Sequence, residues 1–134
     1  NNVIFMSVVD DKMIAATPKR IVVVSPTQTY TYDEEIRNVV VSQDFVFIFA
    51  KNGNIIKTNL NLNKLVEKKL KYAIYNESSV FKGHLYVFEK TGYLFKSDLN
   101  LEHLQVFRLK GAAGEKAFMK EGKFYYDDKI LSLP

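Results

Sequence analysis

Apolar, β-branched and aromatic residues gather in short runs, and polar turns separate the runs. Short runs of this composition bounded by turn residues predict strands and leave little room for helix. The first four runs are Val3 to Val9, Met13 to Ala16, Ile21 to Ser25 and Gln28 to Tyr32. Ile36 to Ser42, Phe45 to Ala50, Asn54 to Lys57 and Leu65 to Leu70 follow. Next come Ala73 to Phe81, Leu85 to Phe88, Tyr93 to Lys96 and Leu104 to Leu109, and finally Lys116 to Met119, Lys123 to Tyr126 and Ile130 to Leu133. Phe45-Val-Phe-Ile-Phe-Ala50 is apolar throughout, as suits a strand covered on both faces. Turn residues punctuate the runs at Asp10-Asp11, Pro18-Lys19, Gln43-Asp44, Thr91-Gly92 and Glu121-Gly122, and Asn52-Gly53 is expected to supply the positive φ angles of a tight hairpin.

The runs repeat as a set. Lys51-Asn-Gly-Asn-Ile-Ile-Lys-Thr-Asn-Leu-Asn-Leu-Asn-Lys-Leu65 returns 39 residues later as Lys90-Thr-Gly-Tyr-Leu-Phe-Lys-Ser-Asp-Leu-Asn-Leu-Glu-His-Leu104. A diverged copy precedes them at a spacing of 33 residues, Ser25 against Thr58. A period near forty in an all-strand chain is the signature of propeller blades, each made of four antiparallel strands. The predicted architecture is therefore all-β, with blades at about 1–33, 34–71, 72–110 and 111–134, the last lacking its fourth strand. About three and three-quarter blades make an incomplete ring. Bare blade faces and a free strand edge recruit partners.

The segments Asp44-Phe-Val-Phe-Ile-Phe-Ala-Lys-Asn-Gly53 and His84-Leu-Tyr-Val-Phe-Glu-Lys-Thr-Gly92 carry a resemblance to the β-propeller superfamily in the broad WD-repeat and kelch-like sense. The resemblance covers essentially the whole chain and implies a degenerate propeller of the kind found in scaffold and trafficking assemblies. The chain has no Gly-His with Trp-Asp pairing, no Gly-Gly doublet and no Trp, so no family residue role carries over.

Eight Tyr, ten Phe and 47% hydrophobic residues can fill a core and are strand chemistry. The net charge of +4 is scattered, which permits weak attraction to acidic partners without arguing for it. The lack of Cys removes disulfides, thiol nucleophiles and Cys-based zinc sites, and favours an intracellular setting, cytoplasmic or nuclear. No apolar run reaches the roughly 20 residues that span a bilayer. The chain opens on Asn1-Asn2 rather than Met, which reads as a piece of a longer protein.

Candidate chemistry is sparse. His84 stands where the preceding copy has Phe45, and His103 where it has Lys64, so one is expected to pack at a strand start and the other to be solvated at a turn. Two His without Cys or a recurring carboxylate partner assemble neither a Ser-His-Asp triad nor a three-His metal site. Asp10-Asp11, Asp33-Glu34-Glu35 and Asp127-Asp128 are turn residues without calcium-loop spacing. Gly111-Ala-Ala-Gly114-Glu-Lys116 lacks the Ser or Thr of a phosphate loop and reads as a connection between blades. No catalytic residue, metal or cofactor is expected.

The leading functional reading is a non-enzymatic scaffold that binds protein partners, the remaining blades of a parent polypeptide or a second copy. Phe124, Tyr125, Tyr126 and Ile130 at the incomplete blade are the expected contacts. Two alternatives stand beside it: part of a propeller enzyme or carbohydrate-binding lectin whose channel site other blades complete, and nucleic-acid binding through Lys64, Lys68, Lys69 and Lys71. Lysines on an outermost strand also serve simply to keep an edge soluble.

Overall fold

A computed structural model of the chain describes residues 2–42, 44–70, 75–109, 117–126 and 128–134. Among them are four antiparallel sheets and no helix. The chain divides into two compact units, Asn1–Ala73 and Ile74–Pro134.

The first unit holds two four-stranded meanders. Strands β1 (Phe5–Val9), β2 (Lys12–Thr17), β3 (Arg20–Val24) and β4 (Thr29–Asp33) pair in sequence order, as do β5 (Ile36–Val41), β6 (Phe45–Ala50), β7 (Asn54–Asn59) and β8 (Lys64–Lys69). Ile14, Ala16, Ile21 and Val23 of the first blade pack with Val39, Val46, Ile48, Ala50 and Ile56 of the second. Burying a side chain of this size contributes about 1.5–3 kcal/mol, so this apolar seam is the main reason the two blades stack. Two backbone bonds stitch the seam: the Ile36 N–H donates to the Pro18 carbonyl at 2.8 Å, and the Glu34 N–H to that of Lys19 at 3.2 Å. Phe47 and Phe49, on the other face of β6, are also fully buried, which explains why that strand is apolar throughout.

The second unit repeats the plan with β9 (Tyr75–Phe81), β10 (His84–Glu89), β11 (Tyr93–Asp98) and β12 (Gln105–Arg108). A three-stranded sheet follows, of β13 (Ala117–Lys120), β14 (Lys123–Tyr126) and β15 (Lys129–Ser132). Tyr86, Phe88 and Leu94 meet Phe124 and Tyr126 in an aromatic core, the Phe88 and Phe124 rings tilted at 51° with centroids 4.8 Å apart. The Tyr86 hydroxyl donates to the Pro134 carbonyl at 2.8 Å, and Glu77 Oε2 accepts the Met119 N–H at 3.2 Å.

One turn differs in detail from the sequence expectation. Of Asn52 and Gly53 only the glycine has a positive φ, 94°, and its N–H donates to the Ala50 carbonyl at 3.1 Å. The loop is thus three residues long, a turn closed by a left-handed glycine rather than a two-residue hairpin. Gly92 (φ 105°) closes the equivalent loop in the same way, its N–H donating to Glu89 at 3.0 Å. The Lys64–Lys69 stretch, whose apolar spacing also fits a helix, is strand β8. The glycine-rich segment and Lys116 lie outside the described residues.

Candidate functional site

Each blade has two faces, and the repeat says what each one meets. Val46 on β6 faces the first blade, and Phe124 on β14, at the equivalent position, faces the third; both are fully buried. The same position in the first blade is Met13, which is 41% exposed. Its face of the sheet includes the cross-strand rows Met6–Ala15–Val22–Thr31 and Val8–Met13–Val24–Thr29. Met6 and Val8 are 62% and 72% exposed, far above what a packed blade face shows elsewhere in this chain. A shallow cleft of about 410 Å³ opens beside them, lined by Ala15, Thr17, Lys19, Arg20, Val22 and Asp33. Arg20 and Asp33 are directly opposite on β3 and β4 and pair across its floor.

The last sheet mirrors this. Tyr86 on β10 packs onto the following sheet, and Tyr125 is its equivalent on β14. Tyr125 instead lies in an open row with Phe118 and Ile130, the Phe118 and Tyr125 rings stacked at 4.6 Å and 12°. Phe118 and Ile130 are 52% and 61% exposed. Of the four contact residues expected from sequence, Tyr125 and Ile130 therefore lie on this open face. Phe124 and Tyr126 do not: strand alternation turns them inward, into the core with Phe88, where a partner cannot reach them. Phe118 was missed; its place opposite Tyr125 follows from the Glu121-Gly122 hairpin, which sets the register.

The lysine strip is dispersed. Lys68 and Lys69 are consecutive on β8 and so project to opposite faces of the sheet. Lys64 pairs with Glu67 at 2.9 Å, which offsets its charge locally. Lys71 lies outside the described residues.

The two histidines come together. His84 and Asp98 are direct partners in the β10–β11 register, and both line a cleft of about 550 Å³ with His103, Leu104 and Gln105. Asp98 Oδ1 accepts the Asn100 and Glu102 N–H groups at 2.9 Å each, closing the turn between β11 and β12, while His103 Nδ1 lies 2.7 Å from Oδ2. These partners, His103 foremost, hold the Asp98 carboxyl at about 2, well below the usual carboxylate range. His84 Nδ1 lies 3.1 Å from the Lys82 carbonyl, an acceptor only, so in the neutral ring that nitrogen carries the proton and Nε2 the lone pair. Asp98, Glu102 and His103 each offer a ligand atom within 4.8 Å of the others, so this cluster is where a metal could be held.

No protein-family model matches the chain. The plasminogen-binding protein PgbB of Helicobacter pylori is 30% identical over 76 residues, which is 57% of this chain and 14% of that protein. Among solved structures, BamB from Moraxella catarrhalis superposes with a TM-score of 0.75 at 17% identity, over 90% of this chain and 38% of its own. The N-terminal domain of Nup159 gives 0.62 at 13% identity, over 96% of this chain and 44% of that one. The computationally designed Ika4 protein gives 0.73 at 11% identity, over 99% and 92%. At these identities the likeness is one of fold, and the fold is β-propeller-like.

Proposed function

We propose that this chain is a non-enzymatic segment of a degenerate-repeat propeller, WD- and kelch-like in the broad sense, acting as a scaffold that binds protein partners through its open blade faces. One observation carries the reading. Positions that form blade-to-blade contacts inside each unit, those of Val46 and Phe124 on one side and Tyr86 on the other, reappear with Met13 exposed and Tyr125 only partly buried. A face built to pack and left open gains most from covering its anchors, here Met6, Val8 and Met13 on one sheet and Phe118, Tyr125 and Ile130 on the other.

Sedimentation velocity and binding of an apolar dye test this directly. The chain is expected to self-associate and bind dye, and Val8→Lys and Ile130→Lys to reduce both. A clean monomer with no dye-binding surface overturns the reading. The similarity to a plasminogen-binding protein makes plasminogen the first partner to try. In an immobilised-chain assay, binding weakened by Met6→Ser or Val8→Lys supports it as a partner through this face. Absence of binding removes plasminogen, while the sedimentation result still decides the scaffold reading.

A further inference from the structure

Blades two and three contain the same turn, which makes one a control for the other. Leu62 and Leu101 share a φ of 61°. Asn59 Oδ1 accepts the N–H groups of Asn61 and Asn63, just as Asp98 Oδ1 accepts those of Asn100 and Glu102. At these places blade two has Phe45, Asn59, Asn63 and Lys64, none of which is a usual ligand for a transition-metal ion. At the equivalent positions blade three has His84, Asp98, Glu102 and His103. The turn alone does not require these residues, since blade two forms it without them. All four substitutions move toward ligands: Asp98, Glu102 and His103 bring their ligand atoms together, and His84 lines one cleft with Asp98 and His103.

We infer that His84, Asp98, Glu102 and His103 form a site for a divalent transition-metal ion of borderline softness, with zinc as the fitting probe. Two imidazoles with two carboxylates suit zinc, whereas magnesium and calcium want oxygen ligands throughout. The Asp98, Glu102 and His103 atoms lie within 4.8 Å of one another, against about 3.4 Å between ligands around a tetrahedral ion, and small side-chain rotations close that gap. The His103 side chain is 83% exposed, with room to turn. The Lys82 carbonyl orients His84 in the manner of an outer-sphere partner and leaves Nε2 as its ligand atom. Bound there, the ion would clip the start of β10 to the turn between β11 and β12.

The test is calorimetric titration of the full chain with zinc chloride, with magnesium chloride as comparison. One equivalent of zinc and no magnesium is expected. Reverting blade three to the residues of blade two, as His84→Phe, Asp98→Asn, Glu102→Asn and His103→Lys together, is expected to abolish uptake. His103→Lys alone, at an exposed turn position, is expected to weaken it at least tenfold with the circular dichroism unchanged. Zinc should also shift the ring resonances of both His84 and His103. No zinc uptake by the unaltered chain, or uptake that His103→Lys leaves unchanged, overturns the inference.

Discussion

Gly83 and Gly122 occupy the same place in successive blades, with φ of 76° and 78°, yet they differ in what surrounds them. A Cβ on Gly83 would meet nothing within 4 Å, whereas one on Gly122 would lie 2.3 Å from the Phe81 ring. Gly83→Ala is therefore expected to cost about 1–2 kcal/mol, the backbone penalty alone. Gly122→Ala adds overpacking of about 1–3 kcal/mol. Urea denaturation of the two variants checks the difference, and equal losses would mean that Phe81 moves aside freely. Glu67 offers a pH handle. Lys64 first, and Asn54 at 2.5 Å second, hold its carboxyl below the ordinary 4.5. A depressed folded-state pKa gives a contribution that is fully present above the unfolded value and is lost as pH falls through the folded one. The stability gap between the unaltered chain and Glu67→Gln is thus expected to be largest near neutrality and to close well below pH 4.5, as read by denaturation at both conditions.

Strand β14 shows how alternation sorts neighbours into different roles. Phe124 and Tyr126 fill the core beneath Phe88, while Tyr125 between them looks outward to Phe118 and Ile130. Phe124→Ala is expected to cost about 3–5 kcal/mol through the cavity it leaves. Ile130→Ala, on the open row, should stay within about 0.5 kcal/mol. Thermal or chemical denaturation separates these outcomes, and comparable losses would place Ile130 under cover. The strands themselves were legible: apolar and β-branched runs between turn residues located the fifteen described strands to within a residue or two. Which face of β14 is covered was not legible, because Phe124 and Tyr125 are both large and apolar and only the distant β10 decides between them.

Among the described lysines of the candidate strip, the positive charge is dispersed rather than gathered into a track. Lys64 is paired and Lys68 and Lys69 diverge, so binding to single-stranded oligonucleotide is expected to be weak. Its logarithmic salt slope should correspond to about one or two phosphates, measured by fluorescence anisotropy. A steep slope would revive the nucleic-acid reading. The histidine–carboxylate cleft escaped the sequence because each histidine was weighed alone, against Phe45 and against Lys64. The signal lay in four aligned positions changing together. Alternation, turns and the internal period are local properties, written in residues a few positions apart, and they were enough to specify strands, hairpins and the blade plan. Exposure of Met13, burial of Phe124, and the placing of His84 and His103 along one cleft depend on segments far apart in sequence. Those features emerge only when the sheets stack and pair, because burial and ligand geometry are set by neighbours that no local pattern identifies.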